Sequence, residues 1–190
     1  MSLILLGILN SQATAGGVAS DWDFISSNTI GSNTASFSLS TSSLTGYKNI
    51  AVLFSFRSYG AFQQDRLTMQ INSLSANYAS NSLYGDSSSG SQARSYTGES
   101  YMRLSYIPAA SAASQRYGMG IVYMPDFRGL GKAKAITGLG GSAFDNSTQT
   151  SMRFGAINYS DTNAIDFISF KTQSAGIAAG SAFTLVGMKG

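Results

Sequence analysis

The sequence has no cysteine and no histidine, and only 11% of its 190 residues are charged. The first absence excludes a disulfide framework, a thiolate metal site and a cysteine nucleophile. The second removes the commonest zinc ligand, the usual general base and every Ser-His-Asp triad. Nine carboxylates serve the whole chain, and twelve Lys and Arg are scattered without a basic run. The formal charge of +3 therefore marks no nucleic-acid footprint. No apolar run approaches the roughly 20 residues that a membrane-spanning helix needs. Stripped of these groups, the chain reads as a protein that is not an enzyme and uses no metal or cofactor.

What is present points to strands. Aromatics make up 12% of the chain, prolines number two and glycines 21, and serine is abundant throughout. Aromatic and β-branched residues joined by Ser/Gly turns suit pleated sheets, and this apolar content is too high for a disordered chain. Period-two alternation recurs, in Ser20–Ser26, Ala35–Ser40, Tyr47–Ser58, Arg66–Asn72, Tyr101–Ile107 and Tyr117–Pro125. It returns in Ala133–Leu139, Ser151–Asn158, Ala164–Lys171 and Ser181–Met188. Alternation of this kind is the strand signature, and no stretch shows a convincing helical period. The expectation is an all-β fold, an antiparallel, jelly-roll-like β-sandwich. Its core is expected to hold Trp22, Phe37, Phe54, Phe56, Phe167 and Phe183, with Tyr47–Ser58 as a central strand.

The first nine residues, MSLILLGIL, are wholly apolar apart from Ser2. Ala13-Thr14-Ala15 has the form of a signal cleavage site, but no Lys or Arg precedes the apolar core as a secretory signal would have. The run is read as an assembly anchor, in which Leu3, Ile4, Leu5, Leu6, Ile8 and Leu9 pack against another copy or a neighbouring subunit; a secretory signal is the alternative. Residues 1–17, closed by a Gly16-Gly17 hinge, then precede a single β domain over 18–190.

Fragments that resemble catalytic motifs fail on detail. In Asp21-Trp22-Asp23 both carboxylates fall on one strand face, expected to be solvent. Arg128-Gly129-Leu130-Gly131-Lys132 lacks the spacing of a phosphate loop, and Ala133 follows where that loop needs Ser or Thr. A binding surface is easier to place. Residues 73–98 read as a long, polar surface loop rich in Ser, Gly and Tyr, with Tyr78, Tyr84, Tyr96 and Tyr101 as candidate contacts. Tyr with Ser and Gly is the composition of adaptable binding surfaces.

The order of fragments has a family likeness. Leu67-Thr68-Met69-Gln70-Ile71-Asn72, then Asn77-Tyr78, then Ser82-Leu83-Tyr84-Gly85-Asp86 resembles a strand-and-loop block of small bacteriophage virion proteins. Those are structural and tail-fibre-like β-sandwich proteins of the marine and cyanophage type. Ile121–Phe127, Thr162–Phe170 and Ala179–Met188 resemble later strands of the same family, although Val186 stands where an aromatic is usual and Phe154 where a Trp is. The resemblance implies a homo-oligomer, often a trimer, residing in the virion and bound to other virion proteins. A tail fibre or spike is the first expectation, with a host surface glycan as a further contact. A capsid decoration protein is the second, and a secreted carbohydrate-binding domain the third. The family supplies no catalytic residues.

Overall fold

The computed structural model describes residues 22–87, 90–144 and 150–189. The apolar run Leu3–Leu9, the glycine hinge and Asp21 lie outside the described residues. Twelve strands run in the order β1 (Trp22–Thr29), β2 (Ser36–Ser40), β3 (Tyr47–Phe56), β4 (Gln64–Ile71), β5 (Tyr78–Asp86) and β6 (Gly90–Glu99). They continue as β7 (Met102–Pro108), β8 (Gly118–Met124), β9 (Lys134–Ala143), β10 (Thr150–Tyr159), β11 (Phe167–Thr172) and β12 (Ala182–Lys189).

These form two unequal antiparallel layers. The larger sheet has eight strands, ordered β1-β12-β3-β8-β9-β10-β5-β6; the smaller has four, β2-β11-β4-β7. The expected antiparallel sandwich is thus the fold. Ile50, Val52, Phe54 and Phe56 of β3 face Leu67, Met69 and Ile71 of β4 and Ile168 and Phe170 of β11 across the core. Phe56 meets Phe170 edge-on at 5.7 Å between ring centroids, and Phe37 meets Phe183 at 4.4 Å.

Close approach of the layers is bought with glycine. A β-carbon on Gly120 would lie 2.4 Å from the Leu139 carbonyl oxygen and 2.4 Å from the Phe54 ring; one on Gly140 would lie 2.7 Å from the Ser105 β-carbon. At Gly120 and Gly140 the inner faces of β8 and β9 are therefore bare backbone, and Phe54 and β7 settle onto it.

Three expectations are corrected. Residues 73–98 are not a long loop: they hold β5 and β6, a hairpin at the edge of the larger sheet. Gly, Ser and Asn lower the strand signal there, but pairing with β10 supplies the ladder that local propensity does not. Trp22 is half-buried and leaves the core; it lies on the outer face of the larger sheet, 6.0 Å from the ring of Tyr123. Phe24 is exposed beyond it, and Phe37 and Phe167 are only half-buried. Finally, the alternation of Tyr101–Ile107 is broken: a register shift between Leu67 and Thr68 puts both Leu104 and Ser105 of β7 against β9, so Tyr106 turns away from the face that holds Met102 and Leu104.

Candidate functional site

The four tyrosines assigned to a surface loop occupy different places. Tyr78 begins β5 and is 2% exposed, within the core. Its hydroxyl accepts the Ile71 amide hydrogen at 2.8 Å and lies 3.1 Å from the Leu74 carbonyl, to which it donates. Tyr84 is also buried, and its hydroxyl donates to a carboxylate oxygen of Asp86 at 2.5 Å. Only Tyr96 and Tyr101 are part-exposed. Burial pushes the hydroxyls of Tyr78 and Tyr84 above their ordinary value, and for Tyr84 the Asp86 carboxylate adds to this.

Around Tyr96 the structure gathers arginines that the sequence scatters. The Arg103 guanidinium stands 4.3 Å from the Tyr96 ring centroid and that of Arg153 at 5.5 Å. Arg103 also reaches within 5.6 Å of the Tyr101 ring and pairs with Glu99 at 2.9 Å. Arg153, 4% exposed, has no hydrogen-bond partner on Nε or Nη2. Partial burial pushes the Tyr96 hydroxyl up, but the hydrogen bond from Arg94 and the charges of Arg153 and Arg103 together outweigh it, leaving the group below its ordinary value. Burial also pulls the Arg153 guanidinium down. This wedge is a largely buried cationic and aromatic cluster. It contains no nucleophile paired with a base.

The second candidate is the outer face of the eight-stranded sheet. Residues directly opposite one another in a ladder share a face, so the registers define rows across the strands. One row runs Leu53–Ile121–Leu139–Phe154–Leu83–Ala93 through β3, β8, β9, β10, β5 and β6. The next runs Met119–Gly141–Met152–Gly85. Leu83, Met119, Ile121, Leu139, Met152 and Phe154 each leave between 37% and 64% of their surface in water. Flanking them is a polar row, Thr137–Ala156–Asn81–Ser95, and a shallow groove lies between Phe154, Leu83, Asn81 and Ser95.

The apolar rows and the polar row beside them carry no charge. Asp86, Arg94, Glu99, Lys134 and Arg153, the charged side chains of β5, β6, β9 and β10, alternate onto the other face, and β8 has none; Lys48, in the β3 bulge opposite Met188, is exposed beyond the rows. Sequence reasoning grouped Met119, Ile121 and Tyr123 on one face but had no means of seeing that this face points outward. No group of three or more acidic, His or Cys side chains among the described residues is placed to hold a metal ion.

By fold, this is an all-β protein of two packed antiparallel sheets. No family model matches the sequence, and no curated protein does. Among solved structures, a weak similarity is found to the CBM2 module of the evolved Dit of Lactobacillus casei BL23 phage J-1. It has 8% identity and a TM-score of 0.16 and covers 82% of this chain and 69% of that one.

Proposed function

We propose that this protein is a non-enzymatic structural subunit of a bacteriophage particle, assembled from identical copies, as a trimer, in a tail fibre, spike or similar appendage. The observation that carries the reading is the exposed, uncharged aliphatic stripe on the outer face of the larger sheet. Monomeric soluble proteins rarely leave an apolar stripe of this extent in water, and such a stripe is the mark of a protein contact. The likeness of residues 67–86, 121–127, 162–170 and 179–188 to phage virion proteins supports the choice of particle. A capsid decoration role uses the same fold and the same face.

A carbohydrate-binding role is a second reading, favoured by the groove where exposed Phe154 borders Asn81 and Ser95. Sugar recognition needs flat aromatic rings with hydrogen-bonding groups around them. The stripe offers one such ring among Leu, Ile and Met, which is better suited to a protein surface.

Quantitative mass spectrometry of purified particles, referenced to the major capsid protein, tests the proposal. A few tens of copies in multiples of three fits the appendage. Hundreds of copies tracking the shell place the protein on the capsid instead. Absence from particles overturns the virion reading and returns attention to the groove.

A further inference from the structure

We infer that the stripe Leu53–Ile121–Leu139–Phe154–Leu83, with Met119 and Met152 beside it, is the surface on which a second copy of this chain packs, the stripes of three copies meeting around the axis of the trimer. The inference deepens the assembly reading above and rests on it. Three observations select the occupant.

The first is size. At about 200 Å² for a whole large side chain, the exposed fractions leave on the order of 600 Å² of contiguous apolar surface. That is the upper end of what a monomer shows and close to the roughly 800 Å² per partner of a standard interface.

The second is charge. Rows with no ionised group meet the same rows of another copy without repulsion and without burying an unpaired ion, a condition that most protein surfaces fail. A charged or nucleic-acid partner would find nothing there to pair with.

The third is the pattern. Apolar rows run through the middle and Thr137, Asn81 and Ser95 lie alongside, the dry centre and polar margin of an interface. Bulky Phe154, Leu83 and Met152 alternate with Ala93, Gly85 and Gly141, so side chains of one copy have hollows to enter on the other.

The test is the mass of the full chain in solution, by light scattering across a range of concentrations. The parent is expected at a multiple of 19.9 kDa. Leu139→Glu, at the centre of the stripe and 43% exposed, is expected to run as a single chain with an unchanged far-ultraviolet spectrum. Met152→Glu, more exposed still, serves if the first variant misfolds. Leu130→Glu, on an exposed turn away from the stripe, is expected to keep the parent mass. A variant lacking residues 2–15 is also expected to keep it. A monomeric parent, an intact oligomer in Leu139→Glu, or an oligomer that dissolves when residues 2–15 are removed would each overturn the inference, the last by giving the contact to the apolar run. Particles that contain the protein while Leu139→Glu stays oligomeric would sink the stripe and leave the virion reading standing.

Discussion

The Tyr78 hydroxyl takes the amide hydrogen of Ile71 at 2.8 Å, tying the start of the edge hairpin to the end of a strand in the opposite sheet. Between the two residues the chain turns through Asn72, Ser73 and Asn77, all with positive φ. Asn72 uses that turn as a clamp. Its Nδ2 donates to the Ala164 carbonyl at 2.8 Å, and its Oδ1 accepts from the amides of Asp166 and Phe167 at 2.9 and 3.1 Å. Within the family-like block, Tyr78 therefore ties one layer to the other, while Asn72 holds the end of β4 to the segment that enters β11 in the same sheet.

Tyr78→Phe leaves the buried Ile71 amide without its partner and is expected to cost about 1–3 kcal/mol. Tyr159 stacks on Tyr78 at 5.2 Å between centroids, and its own buried hydroxyl has no hydrogen-bond partner. Tyr159→Phe should therefore be neutral or stabilising. Thermal melts of the two variants check the pair, and equal losses would refute the assigned roles.

Trp22→Ala removes a half-buried ring from the outer face, where it lies against Tyr123, instead of opening a core cavity. The expected loss is below about 2 kcal/mol, against roughly 3–5 kcal/mol for Phe56→Ala, whose side chain is fully buried. Chemical denaturation of both variants measures the difference.

Gly120→Ala places a methyl group against the Leu139 carbonyl and the Phe54 ring, and about 1–3 kcal/mol or more is expected from overpacking. Gly46→Ala, with nothing within 4 Å of the added carbon, should leave the melting temperature unchanged or slightly raised.

Alkaline titration separates the tyrosines. Tyr78, Tyr84 and Tyr159 are all held above the ordinary value of 10.0, chiefly by burial. For a group raised in the folded state, its stability contribution is whole below the unfolded value and lost as pH rises past it. The fold is thus expected to weaken above pH 10.0, because the unfolded chain ionises tyrosines that the native one keeps neutral. Tyr96 acts in the opposite sense. Its lowered value means that its contribution grows as pH rises towards 10.0, and its phenolate should form well before those of Tyr78, Tyr84 and Tyr159. Absorbance of the phenolate against circular dichroism checks both statements. The early phase should shrink in Tyr96→Phe, and the three buried groups should ionise only as the fold is lost.

Arg57 donates to the carbonyls of Ala112, Ala113 and Arg116 at 3.0, 2.9 and 2.9 Å, which pins the loop between β7 and β8. Arg57→Lys keeps the charge but loses the fork of donors, so it should not restore the loop. Hydrogen exchange is expected to rise there first, well before the sheets open.

Much of this architecture was legible in the residues. Alternation placed ten of the strands to within a few positions, and the run Tyr117–Pro125 contains the whole of β8. The β5–β6 hairpin was not legible. Its Ser, Gly and Asn content reads as loop, and it becomes a sheet only because β10 lies alongside to complete its hydrogen bonds. The arginine wedge was equally hidden, since Arg94, Arg103 and Arg153 come from three strands whose neighbourhood only the fold defines.

By itself, the sequence determined that this is a strand-built protein without thiol, imidazole or clustered charge. Those are properties of composition and of a period of two, and both are local. The tertiary structure decided which side of each strand is inside. In β8 the larger side chains, Met119, Ile121 and Tyr123, point outward while Gly118 and Gly120 share the inner face with Val122 and Met124. Hydrophobicity alone would choose the opposite. The choice is made by space: Phe54 needs the room that Gly120 and Gly140 leave, and once β9 is registered against β8, Met119, Ile121 and Leu139 are committed to the outer face.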